Sequence, residues 1–516
     1  MRTSAVLVGL LFAAPAAAQT PLSAIDWLDN PSQVIAPVIA PAALPVPKPE
    51  KEAPVSKTAS VPEVAVQPLG AEAQVLSVGL LPSRVTGLPE TLWQNNDARA
   101  IASLFQKLDA RNIPALQELF YTLLLAEAEP PQGVDPELFL TLRATRLAEF
   151  GAIEPAAELL AQMPLKSTSH FDLLFDLTLY AGLEDKACDA LNSARALTND
   201  YAAQIFCTMR GGGWEEASLL FESANALNLL SASERRLLQA FLDPDYAELA
   251  PSLAPPRNIS PLEFRLYEAV GNPLPTPSLS LAFAVSDLRE LAGWKAQLEA
   301  AERLTRVEAV SSNELLGLYT SRKPSASGGV WERARAVQRL DAALTKQDPE
   351  ELSEALLKAH KALAEVNLEQ ALAEIYVPEL AGAKLSGKAQ TLAFEMALAT
   401  KSYEAAKPPS GKGNARNAFL VSLAQGAPVG AEALNSQLAL AIEAGFTPAT
   451  VLPQTQLSML LTEAHLGEAI LTAMIGLVRG LEGDYTSLTE SLRALRQMGL
   501  EDVSRRAALQ MLLRQS

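Results

Sequence analysis

The sequence predicts an all-α protein: a right-handed α-solenoid of helical hairpins, preceded by a disordered Pro/Ala-rich N-terminal arm. Between Asp135 and Phe221 an amphipathic helix, a glycine and an alanine-rich helix recur three times, at steps of 31 and 30 residues. Nowhere does a run of alternating β-branched residues reach the length a sheet needs. Leucine and alanine dominate a chain that is 49% hydrophobic and only 6% aromatic, enough for a sizeable core built from helices.

In the first copy Leu140, Ala144, Leu147 and Ala148 form one stripe of a 3.6-residue helix, and Gly151 stands where a helix C-terminus takes a left-handed residue. A second helix over Glu154 to Met163 presents the small face Ala156, Ala157, Leu159 and Leu160, and Pro164 ends it. The second copy reads Phe171, Phe175, Thr178, Leu179 and Gly182, then Ala187, Cys188, Ala190 and Leu191. The third reads Tyr201, Ile205, Thr208, Met209 and Gly212, then Ala217, Ser218, Leu220 and Phe221. Thr178 and Thr208 weaken the apolar stripe at one position each. A single hairpin cannot bury both its apolar faces, so units repeated at a fixed step must stack. An irregular helical bundle shows the same stripes, and the step alone separates the two. The pattern also fits Leu434, Leu438, Ala441, Ile442, Gly445 and Leu488, Leu492, Leu495, Gly499, with no fixed spacing.

With small residues opening each second helix (Ala156, Ala187, Ala217) and a glycine between helices, these ninety or so residues resemble the tetratricopeptide-like class of α-solenoids. They depart from it in three ways: a period shorter than the usual ~34 residues, no tryptophan-leucine-glycine opening, and a closing proline only at Pro164. The resemblance implies an architecture and a tendency to bind other proteins, and no residue-level site.

Residues 1–18 carry Arg2, an apolar run from Val6 to Phe12 and then Ala16-Ala17-Ala18, the charged start, short hydrophobic core and small-residue cleavage site of a secretory signal peptide cut before Gln19. The run is too short to anchor in a bilayer. Residues 19–90 interleave prolines with alanine, valine and lysine, a composition that favours extended chain and cannot build a core. At about 3.1 Å per residue such an arm spans roughly 100 Å or more. Ile25, Trp27 and Leu28 make a short apolar patch at its start, read either as a partner-docking motif with an aromatic anchor or as a segment that folds back on the body.

Three helical regions follow, 91–250, 251–385 and 386–516. Ala115 to Ala126 and Ser231 to Leu242 read as helices. The prolines between 250 and 280 mark a boundary or elbow. Leu281 to Arg303 and Trp331 to Leu344 are expected helical, with Ser325 to Gly329 a loop between them. Pro349 to Ile375 reads as one long helix capped by Asp348, with Glu350 and Glu351 in its first turn, and Lys407 to Asn414 as a loop.

A net charge of −17 and a pI near 4.9 argue against nucleic acid and anionic membrane surfaces as partners, since both need clustered lysine and arginine. Cys188 and Cys207 fall on neighbouring hairpins and are expected to be bonded in an oxidising compartment. His170, His360 and His465 are too scattered for a metal cluster; Glu463 and Glu468 place carboxylates near His465 but read as ordinary helix surface. Gly411-Lys412-Gly413 lacks the remaining residues of a phosphate loop, and neither G-x-S-x-G nor S-x-x-K occurs. Trp214, Trp294 and Trp331 read as packing residues. The expectation is a periplasmic, non-enzymatic scaffold or adaptor, without cofactor, binding protein partners within an envelope machine such as a flagellar motor, pilus or division apparatus. A peptidoglycan-active enzyme with a helical superstructure, similar in that respect to soluble lytic transglycosylases, and a chaperone or carrier for exported substrates are the alternatives.

Overall fold

A computed structural model describes residues 77–249, 254–409, 414–448 and 455–514. The signal segment and nearly all of the arm, with Ile25, Trp27 and Leu28, lie outside the described residues, as does Gly411-Lys412-Gly413. The described chain is helical, its extended pairing limited to two isolated bridges, Val78 with Ala128 and Leu81 with Ala126.

Helices α1 (Ser83–Thr86), α2 (Ala98–Lys107) and α3 (Pro114–Leu125) open the body. Three hairpins follow: α4 (Pro136–Glu149) with α5 (Ile153–Leu160), α6 (Thr168–Ala181) with α7 (Asp185–Ser193), and α8 (Tyr201–Arg210) with α9 (Trp214–Ala226). Helices α10 (Ala232–Leu242), α11 (Pro244–Leu249), α12 (Pro261–Ala269) and α13 (Ala284–Asp287) lead to α14 (Trp294–Thr305), α15 (Ser312–Thr320), α16 (Gly329–Lys346), α17 (Pro349–Ala364), α18 (Glu369–Glu379) and α19 (Gly387–Ala399). The last stretch holds α20 (Ala415–Ala424), α21 (Gln437–Phe446), α22 (Gln456–Thr462), α23 (Leu466–Leu481), α24 (Tyr485–Gln497) and α25 (Glu501–Leu513). Consecutive helices pack on one another along most of the chain.

The hairpin pattern has a repeated local cause. Each first helix opens on a side-chain cap: Asp135 accepts from Glu137 N, Ser167 from His170 N, and Asp200 from Ala202 N and Ala203 N. Each ends on a left-handed glycine, Gly151, Gly182 and Gly212, with φ of 78°, 71° and 85°. The amide after or near that glycine then turns back on the helix, from Ala152, Leu183 and Gly213 to the carbonyls of Leu147, Thr178 and Thr208. Thr178 and Thr208 therefore stand at the position whose carbonyl closes the cap, and their hydroxyls bond back to Phe175 O and Gln204 O.

Four expectations are corrected. Pro349 to Ile375 is two helices: Asn367 takes φ 54° and Leu368 N bonds to Leu363 O, so an asparagine does at that turn what glycine does elsewhere. Leu281 to Arg303 is likewise broken before Gly293, and α14 starts at Trp294. Gly445 is not a helix end but lies inside α21, where a Cβ would come within 2.9 Å of Leu492, so its glycine is set by helix approach. The packed body starts before residue 91: Val78 and Leu88 are buried, because the apolar run Val78, Leu80, Leu81 resumes after the prolines thin out.

The first and last helices pack together. α2 lies on α23 and α3 on α25. Gly467 N bonds to Leu92 O at 3.1 Å and Glu468 N to Asn96 Oδ1 at 2.9 Å. Ala115 N reaches Gln510 Oε1 at 2.9 Å, and a Cβ on Gly467 would sit 2.3 Å from the Trp93 ring. One core accordingly joins residues from Val78 to Leu160 with residues from Phe394 to Leu512.

Arg143 anchors the first segment to this core. It is 1% exposed with no carboxylate beside it, and donates from Nε to Leu124 O (2.7 Å), from Nη1 to Val78 O (2.9 Å) and from Nη2 to Ala126 O (2.7 Å). Burial pushes its pKa down to about 9, so it stays charged at neutral pH. Two of those carbonyls belong to the C-terminal end of α3, where the helix dipole favours a cation. Replacing Arg143 with methionine strands the carbonyls of Leu124 and Ala126, each at about 1–3 kcal/mol, and leaves Val78 O with only the Ala128 amide at 3.4 Å. Urea denaturation should show a loss of that order, and limited trypsin digestion should newly cut at Arg84.

Candidate protein-binding edge and buried ionic clusters

The turn joining the second hairpin's helices is bound to its neighbours by a chain of charges. Asp185 pairs with Arg210; Arg210 Nη1 lies 3.3 Å from Glu184 Oε1; Arg265 Nη2 donates to the same oxygen at 2.9 Å. Arg265 also pairs with Glu268, which accepts from Arg289 Nη2 at 2.8 Å. Glu184 is 1% exposed, so this chain ties the turn before α7, α7, α8, α12 and the turn after α13, buried at Glu184 and open at Asp185.

Apolar side chains stand open beside the chain of charges. Leu183, preceding Glu184, is 70% exposed; Trp214, four residues after Arg210, is 54% exposed; Leu291, two after Arg289, is 84% exposed. Gly182 and Arg289 are in contact, since a Cβ on the glycine would meet the arginine's Cδ at 2.9 Å. Trp214 is thus more than half in solvent instead of packed in the core, with its Nε1 donating to Leu242 O at 3.1 Å. Trp294 and Trp331 do pack, ring on ring at 5.1 Å. The first hairpin's turn is covered, because Gly151 sits against Leu304 of α14 and Leu281.

A second ionic cluster lies where α3, α18, α25, the end of α19 and the turn between α14 and α15 converge. Arg506, 5% exposed, donates to Glu118 Oε2 at 2.8 Å, and Lys401 Nζ lies 2.6 Å from Glu118 Oε1. Burial raises the Glu118 pKa, but Arg506 and Lys401 outweigh it and the net shift is downward. Glu308 stands in the turn with φ 60° and makes no salt bridge. Burial first, then the carboxylates of Glu374 and Glu118, push it up to about 8. Glu374 is held by Ser312 Oγ at 2.6 Å and Gln370 Nε2 at 3.0 Å. Asp176 on α6 is pushed up to about 7 by burial and by Asp172 and Asp200.

The chain matches no family model, no curated protein and no solved structure. Its function must therefore be read from its own chemistry.

Cys188 and Cys207 are joined by a disulfide with Cα atoms 4.8 Å apart, linking α7 to α8. Glu463 and Glu468 do come near His465, at 3.9 Å and 3.7 Å, on a surface turn. Among the described residues no three His, Cys, Asp or Glu side chains are grouped to hold a metal ion, and no helix is long and apolar enough to cross a membrane. A cleft of about 470 Å³ lies between α2, α22, α23 and α24, ringed by Lys107, Arg479, Glu482 and Glu490. Sequence reasoning missed Glu308, Arg143 and the Leu183 edge. The first two depend on contacts between residues far apart in the chain; the third shows in sequence only as a leucine following a left-handed glycine.

Two outcomes follow. Opening the disulfide, which closes a loop of 19 residues, removes about 3 kcal/mol in the chain-entropy account, so the denaturation midpoint should fall in reductant and not in a variant already carrying Cys188→Ser and Cys207→Ser. Glu308, raised in the folded state, adds stability that is full below its unfolded pKa near 4.5 and lost as pH climbs through about 8. Glu308→Gln should flatten that part of the stability profile and exceed the parent at pH 8–9 by on the order of 3 kcal/mol, measured by thermal melts across pH 5 to 9.

Proposed function

We propose that the protein is a non-enzymatic scaffold or adaptor of the bacterial cell envelope, exported to the periplasm and holding protein partners within a larger machine such as a flagellar motor, pilus or division apparatus. In this reading the hairpins wind as a right-handed, tetratricopeptide-like array, and the N-terminal arm with Ile25, Trp27 and Leu28 reaches a second partner. The observation that carries it is the exposure of large apolar side chains in and beside the turns between helices, Leu183, Trp214 and Leu291, since exposed apolar groups, an aromatic among them, are what protein interfaces are built around. The disulfide and the signal-like first 18 residues support export to an oxidising compartment. The acidity of the chain favours a basic partner surface.

One observation favours a second reading. Glu118 and Glu308 share one cluster with pKa values moved in opposite directions, the arrangement that separates a proton donor from an ionised carboxylate in acid–base enzymes. Under that reading the protein acts on peptidoglycan.

Affinity capture of the tagged full chain from periplasm, with purified sacculi assayed in parallel, separates the readings. One stoichiometric envelope partner and no release of soluble muropeptides is the expected result. Release that disappears in Glu308→Gln would replace the scaffold with the enzyme, and many unfolded clients would replace it with a chaperone. Deleting residues 20–30 should abolish localisation to the partner; unchanged localisation removes the arm as a docking element.

A further inference from the structure

We infer that the strap Val78 to Leu81 is a load-bearing anchor: a pull on the arm enters the folded body at Val78 and Arg143 and passes into the core, instead of peeling the first helices away. The inference rests on the reading of the arm as the link to a second partner, and adds the place where force between the partners crosses into the fold and the residues that carry it.

The strap is bonded along its whole length to the segment that follows α3. Leu80 N and Leu81 N both donate to Leu125 O, at 2.8 and 3.0 Å, and Glu127 N donates to Leu81 O at 2.8 Å. Val78 and Ala128 exchange longer bonds, 3.3 and 3.4 Å. At Gly79 the two backbones meet with no side chain between them, since a Cβ there would stand 2.3 Å from Ala126 O and Glu127 N. Val78 itself is 6% exposed.

Arg143 turns this pairing into a cross-link. Its guanidinium donates to Val78 O on the strap and to Ala126 O on the facing segment, and its Nε holds Leu124 O at the end of α3. Parting the strap from that segment therefore means drawing a carbonyl off a buried cation as well as breaking backbone bonds, and hydrogen bonds to an ionised group are roughly twice as strong as neutral ones. The position matters. A pull from the arm meets Val78 first, where the backbone bonds are longest, and Val78 O is the strap carbonyl that Arg143 reinforces.

The surroundings suit the same role. Arg143 belongs to α4 of the first hairpin, and Leu125 ends α3, which packs on α25, so load received at Val78 is shared between the hairpins and the last helix. The next firm hold along the chain is Leu92 and Trp93, against Gly467. Between the two holds α1 is a single turn with no buried residue, Leu88 is buried, and one backbone bond, Glu129 N to Glu90 O at 2.8 Å, ties the stretch to the body. Without the anchor a pull would strip this stretch as far as Leu92.

Single-molecule force spectroscopy tests this on the full chain from Gln19, held by a tag at that end and by a maleimide handle on Ser327→Cys, at an exposed loop position. Cys188 and Cys207 are bonded and buried, so the handle takes the introduced thiol alone. The parent should show no gain in length before the main opening of the body. Arg143→Met should show a separate gain at lower force, up to about 50 Å for the chain between Val78 and Leu92. Gly79→Ala, which pushes the strap off Ala126 without touching Arg143, should show the same gain, and it decides the matter if Arg143→Met fails to fold. An early gain of that size in the parent, or traces left unchanged by the variants, would overturn the anchor. Capture from periplasm keeps the two levels apart: a partner held by a chain whose strap peels early removes the anchor and leaves the scaffold standing, while a parent chain that captures no partner removes the scaffold and leaves the force trace to judge the anchor.

Discussion

The packing of α3 on α25 is the constraint on which the remainder depends. A stack of helical hairpins ordinarily leaves an apolar face bare at each end and needs a polar capping unit there. In this chain the first helices and the last cover each other, through Gln510 on Ala115 N, Arg506 on Glu118 and the approach of Trp93 to Gly467. Ends that cap each other make every intervening helix a link in one circuit, so the step of 30 or 31 residues describes only the three hairpins that lie between fixed neighbours. Glu308 shows the cost. Its turn closes against α3 and α25, and a carboxylate there is left beside two others.

The same circuit decides which surface is open. α14 crosses the turn of the first hairpin and buries it with Leu304, while the turn after α13 reaches the second hairpin only as far as Gly182 and Arg289. Beyond that contact Leu183 and Trp214 stay more than half exposed. Burying one leucine is worth about 1.5–3 kcal/mol, and association costs about 4–15 kcal/mol before any surplus appears. Three anchors therefore make a weak or transient contact by themselves. Charge complementarity, or a second contact made elsewhere on the chain, has to supply the rest.

What the sequence disclosed follows from how local each signal is. The capped, glycine-ended hairpins were legible because cap, stripe and left-handed glycine lie within one turn of each other. The break at Asn367 was not, since asparagine takes the left-handed conformation less often than glycine and the apolar stripe runs through it. Gly445 misled because a glycine required by the approach of Leu492 looks the same in sequence as a glycine that ends a helix. The pairing of Cys188 with Cys207 was inferable from neighbouring hairpins in the chain. The Glu308 cluster was not, because its members stand at 118, 308, 374, 401 and 506 and meet only after the circuit closes.

The distribution of arginine carries the argument one step further. Arg265, Arg289, Arg333 and Arg506 are each spent on a carboxylate, and Arg143 on three carbonyls. Burying an ion is costly unless it is paired, so the largely buried cations in a chain with 59 acidic and 42 basic residues are committed to holding helices together. The surface that is left is acidic by subtraction. An acidic, helical surface with a few open leucines and a tryptophan selects partners by the charge they bring, and that selectivity comes from where the arginines are buried more than from any single exposed residue.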